Sequence, residues 1–227
     1  MPEEPILTML EPPEREGENT EPEDETATKD MRKATIPIFK TGERFAEFQF
    51  AVQGHNGWDI FGNEIPMPEP ELPDVTVEDG AEASEGHGFV ALQDGLAFVD
   101  AAAKVVKVSR TYMVDGDVNL ITGNIDFEGS VVVTGFIRDK SIVTCSENIH
   151  VVGGISDGAA KAKGTITVDA GIVNAKIEAE GNVEAGFVWG SSIIVDGNIK
   201  AVRSIINSNI MSGGDIMIEE LQGPFAG

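Results

Sequence analysis

The sequence predicts an all-β protein, most of it a parallel, three-sided β-helix with coils of about 17 residues, preceded by a small β-rich domain and a disordered acidic tail. The first observation behind this is a short pattern that returns from Val131 to Ile218. The apolar residue after each corner dipeptide is Val131, Ile149, Ile166, Val183, Ile199 and Ile216, spaced 18, 17, 17, 16 and 17 apart. The corners before them are Gly129-Ser130, Glu147-Asn148, Gly164-Thr165, Gly181-Asn182, Gly197-Asn198 and Gly214-Asp215. One coil of this length cannot bury its apolar residues alone, so the units must stack.

Two parallel columns are the second observation, and they give each coil three sides. One holds Ile137, Ile155, Ile172, Val188 and Ile205, and the other Ile142, Ala160, Ile177, Ile193 and Ile210. In this register the step from second to third column is five residues in every coil. An extra residue then falls between Ile142 and Ile149, and a missing one between Val183 and Val188. Length should vary only at corners, because a one-residue slip inside a strand turns its core residues to water.

Strand alternation is the third observation. Val133, Val151, Val168, Ala185 and Ala201 lie two residues beyond the first column and point inward with it. His150, Thr167, Glu184 and Lys200 lie between and point outward, which sets Glu184 beside Lys200 on adjacent rungs. The Asn and Asp corner residues suit the left-handed backbone region. Stacked Asn148, Asn182, Asn198 and Asp215 are expected as turn residues, or as a ladder along one edge.

The run Val114-Asp-Gly-Asp-Val-Asn-Leu-Ile-Thr-Gly-Asn-Ile-Asp-Phe-Glu-Gly129, the glycine-rich repeat after it and Ile205-Ile-Asn-Ser-Asn-Ile210 resemble the flagellar assembly protein A family of bacteria. Gly54-His-Asn-Gly-Trp-Asp-Ile-Phe-Gly-Asn-Glu-Ile65-Pro66 resembles the glycine-rich turn that precedes the helix in that family. The resemblance runs from about residue 36 to 218 and implies a right-handed coil and a role connected with flagella. Two departures are expected: an acidic tail in place of a larger amino-terminal domain, and an end at Gly227 where the family continues into a helical region.

From the start of the chain, residues 1–34 carry eleven acidic and four basic side chains among several prolines. Such a composition buries too little apolar surface to offset its ordering entropy and reads as a disordered tail. Its one apolar island, Ile6-Leu-Thr-Met-Leu10, is a candidate docking motif or simply solvated. Residues 35–108 read as the small β domain. There Phe48, Phe50 and Val52 alternate with Glu47, Gln49 and Ala51, a turn follows at Gly54–Gly57, and Trp58, Ile60 and Phe61 supply apolar mass beyond it. Pro66, Pro68, Pro70 and Pro73 mark an extended connector. Short strands are expected at Val75–Val77, Gly88–Leu92, Leu96–Val99 and Lys104–Val108. The β-helix takes residues 109–220, and 221–227 form a second tail.

A formal charge of −23 opposes binding to nucleic-acid phosphates or to an anionic membrane surface. No run approaches the ~20 apolar residues of a membrane span, and no signal segment opens the chain. The single cysteine, Cys145, excludes an internal disulfide and suits a reducing compartment, so a cytoplasmic protein is expected.

Chemistry-bearing patterns are sparse. His55, His87 and His150 are scattered and none has a second ligand at metal spacing. Asp115-Gly-Asp-Val-Asn119 opens like a calcium loop, but Leu120 stands where Gly is needed and Asp126 where Glu is needed. Val152-Gly-Gly154 and Gly213-Gly214 lack the lysine and strand-to-helix context of a phosphate loop. Cys145 and His150 are five residues apart, and a strand would carry them away from each other. No metal, cofactor, small-molecule substrate or enzymatic activity is expected.

The favoured function is a non-enzymatic scaffold or adaptor resembling flagellar assembly protein A. Two alternatives are a self-associating cytoskeletal or cell-division scaffold resembling bactofilin and, last, a β-helix carbohydrate-active enzyme. Polysaccharide lyases carry longer coils, and hexapeptide acyltransferases keep strict six-residue steps. The candidate binding surface is the outside of the second column, where Phe136, Val173, Phe187, Trp189 and Ile206 form an apolar stripe over several rungs. Such a stripe usually marks an interface. Its expected cover is the domain of residues 36–108, a protein partner or a second copy, with Trp189 as anchor.

Overall fold

The computed structural model describes residues 5–13, 36–49, 56–65 and 74–219. These residues form strands and turns with no helix, and the architecture changes between Ser109 and Arg110.

The first unit is built from two four-stranded sheets. In one, Ile6–Met9, Arg44–Gln49, Gly88–Ala91 and Ala81–Ser84 lie side by side, all antiparallel. The other takes the order Ile38–Phe39, Gly95–Asp100, Val105–Ser109 and Thr76–Val77, the last pair parallel. Their buried residues meet around two edge-to-face aromatic pairs, Phe39 with Phe45 at 6.1 Å and Phe48 with Phe89 at 6.0 Å.

Three expectations for this unit are corrected. Ile6–Met9 is a strand of the first sheet rather than part of a disordered tail: its amides pair with residues 46–49, and Leu7 joins the core. Trp58, Ile60 and Phe61 add nothing to the core. They sit on the two-stranded hairpin Gly57–Trp58 with Glu64–Ile65 and are 69, 92 and 83% exposed. Lys104 belongs to a turn with φ of +54°, so the strand starts at Val105. Phe50, Ala51, Val52, Gly54, His55 and the four connector prolines lie outside the described residues.

The second unit is a parallel β-solenoid of about six turns over residues 111–218. The first column pairs in register as expected, from Val131 through Ile149, Ile166, Val183 and Ile199 to Ile216, and Tyr112 extends it by one rung. The second column is likewise in register, with Val118 added ahead of Ile137. From Val131 to Ile199 every first-column side chain is at most 1% exposed. Ile166–Val173 and Val183–Trp189 each run unbroken through the corner between the first and second sides, so these coils hold two strands rather than three. The missing residue falls at that corner: the pairing jumps from Val168 opposite Ala185 to Gly171 opposite Phe187. Gly186 is needed there because a Cβ would strike the carbonyl oxygen of Ala170.

The third column is corrected in one coil. Val143, not Ile142, stands in line with Ile125 and Ala160; Ile142 turns outward at 43% exposure. The extra residue therefore lies between the second and third columns. It is absorbed by Asp139 and Lys140, both left-handed at φ of +60° and +62°, where later coils use one such residue: Asp157, Asn174, Gly190 or Asn207.

Among the described residues of the solenoid, that is also the corner that holds all the non-glycine residues with left-handed backbone. Asn148, Asn182 and Asn198 are not left-handed and instead form the ladder. Asn148 Oδ1 accepts from the Thr165 amide at 2.8 Å, Asn182 Oδ1 from the Asn198 amide at 2.8 Å and Asn198 Oδ1 from the Asp215 amide at 2.7 Å. Ser130 and Thr165 hydroxyls take the same place on their rungs, accepting from the Asn148 and Asn182 amides at 3.5 Å. The corner glycines serve close stacking: a Cβ on Gly181 would lie 2.7 Å from the Gly164 oxygen, and one on Gly214 3.0 Å from the Gly197 oxygen.

Candidate protein-binding face

Period-two alternation around the buried second column leaves two outward rows. The row after the column pairs Ser156 with Val173, Val173 with Trp189 and Trp189 with Ile206 on successive rungs. Trp189 and Ile206 are 51 and 52% exposed, and Val173 is partly buried between the rungs. The Trp189 carbonyl accepts from the Asn174 amide at 3.0 Å and from Ser191 Oγ at 2.9 Å. Ser191 is itself buried and accepts from the Ala175 amide at 3.1 Å. The strand end that carries the indole is thus pinned from two neighbouring corners.

The row before the column runs Phe136, Gly154, Gly171, Phe187, and its glycines are the part that the apolar pattern does not reveal. A Cβ on Gly154 would be 3.2 Å from Phe136 Cε1, and one on Gly171 2.6 Å from Phe187 Cδ1 and closer to two other ring atoms. Each ring therefore lies over the glycine of the adjacent rung. Arg203 faces the Phe187 ring, 5.3 Å from its centroid, at cation–π distance. All five stripe residues share one side of the solenoid, yet they divide by role. Phe136 and Phe187 cover backbone of their own chain, while Val173, Trp189 and Ile206 form the continuous open row.

The chemistry-bearing residues stay apart. Cys145 faces the interior, and burial pushes its thiol up, against thiolate formation. His150 points outward from the first side with Nε2 3.0 Å from Asp169 Oδ1. Asp117 of the calcium-like run is tied by Oδ2 to Arg138 and by Oδ1 to the Phe136 amide at 2.7 Å. Among the described residues no group of three His, Cys, Asp or Glu side chains is placed to hold a metal ion. The outer third side carries an ion-pair cluster, Glu178 between Lys176 at 2.8 Å and Lys161 at 3.1 Å, which holds the Glu178 carboxyl below its ordinary value. Glu184 does lie opposite Lys200, but Lys200 forms its ion pair with Glu219 at 2.9 Å.

A family model described as the Flagellar Assembly Protein A beta solenoid domain matches residues 110–227, and one described as the Flagellar Assembly Protein A N-terminal region matches residues 3–102. The chain belongs to the flagellar assembly protein A family. The N-terminal match corrects one expected departure from that family, since the acidic segment lies within the family's N-terminal region instead of replacing it. The border between the matches, residues 103–109, contains the change of architecture. Comparison with curated proteins and with solved structures found no match.

Proposed function

We propose that this flagellar assembly protein A family member is a non-enzymatic scaffold of the bacterial cytoplasm that docks a partner protein along the second side of its solenoid. The observation that carries the reading is the row Val173, Trp189, Ile206, three large apolar side chains on consecutive rungs of a rigid sheet. Large aromatics on a preformed surface dominate interface energetics, because ordering them costs little entropy on binding. The buried Cys145, the exposed His150–Asp169 pair and the family membership support a role outside catalysis. The acidic balance argues for a protein partner over nucleic acid or an anionic membrane.

Trp189→Glu tests the reading in native cells, with tagged wild-type and variant chains compared for co-purified partners and for melting temperature. Loss of a partner with unchanged melting supports docking at Trp189. A fall in melting temperature with partner capture unchanged makes Trp189 an internal packing residue and ends the proposal.

A further inference from the structure

The strand Ile6–Met9 forms one edge of the first four-stranded sheet and pairs only with Arg44–Gln49. Its side chains alternate: Leu7, 7% exposed, and Met9 pack into the core opposite Phe48 and Ala46, while Ile6 is 63% exposed. The rest of the hold is main-chain, a ladder from Ile6 to Met9 extended by the Leu10 amide, which donates to the Phe45 carbonyl at 2.8 Å. Among the described residues no side chain from 5 to 13 makes a hydrogen bond or an ion pair.

Backbone pairing with two alternate apolar seats is how strand addition works: the main chain supplies affinity and the seats select the sequence. Any extended segment with large apolar residues two positions apart meets both needs. Charge works against the present occupant. Its flanks are Glu3 and Glu4 on one side and Glu11 and Glu14 on the other, with no lysine or arginine before Arg15. Residues 1–34 carry 4 − 11 = −7, and the remainder of the chain carries −23 + 7 = −16, so like charges face each other. A segment with the same apolar pair and basic flanks is attracted where this one is repelled. What favours the resident strand is its tether. Only 37 − 9 = 28 residues separate Met9 from Ile38 of the second sheet, which holds it near the edge at up to about millimolar effective concentration.

We infer that the edge of Arg44–Gln49 is a docking site for an extended segment of a partner protein, with large apolar residues at alternate positions and basic flanks, and that Ile6–Met9 is the resident strand it displaces. Exchange trades one backbone ladder for an equal one, so charge and the fit of the two seats decide the outcome. Until then the resident strand covers an edge that would otherwise template unwanted pairing. The site uses other residues than the Trp189 row and does not depend on it.

The test is fluorescence anisotropy of a labelled peptide, Lys-Lys-Ile-Leu-Thr-Met-Leu-Lys-Lys, titrated with the full chain. The same peptide with serine at its first leucine and its methionine keeps the charge and should bind at least tenfold more weakly. Leu7→Asp loosens the resident strand and should tighten peptide binding at least tenfold. In a chain carrying Thr8→Cys and Glu47→Cys, which pair across the two strands, oxidation should abolish binding and reduction restore it. Trp189→Glu should bind as the parent does. Equal binding of the two peptides reduces the effect to general attraction by an acidic protein and overturns the inference. Binding that survives the disulfide lock places the peptide elsewhere, with the same consequence. No binding to either the parent or Leu7→Asp also overturns it, as does a Leu7→Asp chain that binds no more tightly or unfolds, because the strand is then a fixed part of the sheet.

Discussion

The Phe187 ring lies over Gly171 of the preceding rung, where a Cβ would fall 2.6 Å from Cδ1. The glycine is thus a seat for the ring, and its own φ is not in the left-handed region, so alanine is excluded by the ring and not by the backbone. Gly171→Ala should destabilise the solenoid by about 1–3 kcal/mol through overpacking. In a Phe187→Ala background the same change should cost less than about 0.5 kcal/mol, because the clash is gone. A double-mutant cycle by urea denaturation reads the coupling; additive effects would mean that the ring does not hold this position.

Along the ladder edge, each side-chain oxygen satisfies a corner amide of the next rung. Asn182→Ala leaves the Asn198 amide without its 2.8 Å acceptor and should cost about 0.5–1 kcal/mol, near the low end because the corner is exposed. Asn182→Asp keeps an acceptor at the same reach and should retain most of that stability. If alanine and aspartate behave alike, the oxygen contributes nothing to stacking.

The first column is legible in the sequence because its β-branched residues are followed two positions later by another apolar residue, and the second because its β-branched residues return at the coil spacing just ahead of a polar or glycine corner, so only one register fits. The third column is ambiguous where Ile142 and Val143 are both apolar and alternation gives no sign. What decides between them is the left-handed pair Asp139-Lys140, and lysine carries no sequence signature of positive φ. The corner asparagines signal a special role, but Asn148 and Asn174 use different properties of the same side chain: an acceptor in one, tolerance of φ at +47° in the other. Ile6–Met9 is hidden by the acidic residues around it, since its partner strand at residues 46–49 lies some forty residues away. The candidate face is half legible. Its apolar residues show in the sequence, while the seating of Phe136 and Phe187 on glycines requires the rungs to be stacked.

Two buried serines at one corner predict opposite responses to alanine. Ser191 Oγ donates to the Trp189 carbonyl and accepts from the Ala175 amide, so Ser191→Ala should cost about 1–2 kcal/mol. Ser141 is fully buried in the coil with the extra residue, and its Oγ has no partner among the described residues. Ser141→Ala removes an unsatisfied hydroxyl and should be neutral or stabilising by up to about 1 kcal/mol. Thermal melts of both variants decide; a destabilised Ser141→Ala would reveal an ordered water or other partner at that corner.

Glu178 gives the solenoid a defined acid response. Hydrogen bonds from Lys176 and then Lys161 favour its ionised form, which lowers its pKa in the folded state below the ordinary 4.5. A carboxyl whose folded pKa is depressed contributes stability above the unfolded value and loses it as pH falls through the folded one. The pair is partly solvent-exposed, so the contribution is at most about 1 kcal/mol and is screened by salt. Glu178→Gln should therefore be slightly less stable than the parent at neutral pH. The difference should shrink as pH drops below 4.5 and shrink as well in high salt at neutral pH. Urea denaturation of both proteins at neutral and acid pH measures it; a gap that stays constant on acidification would mean that the difference does not come from the ionised carboxylate of Glu178.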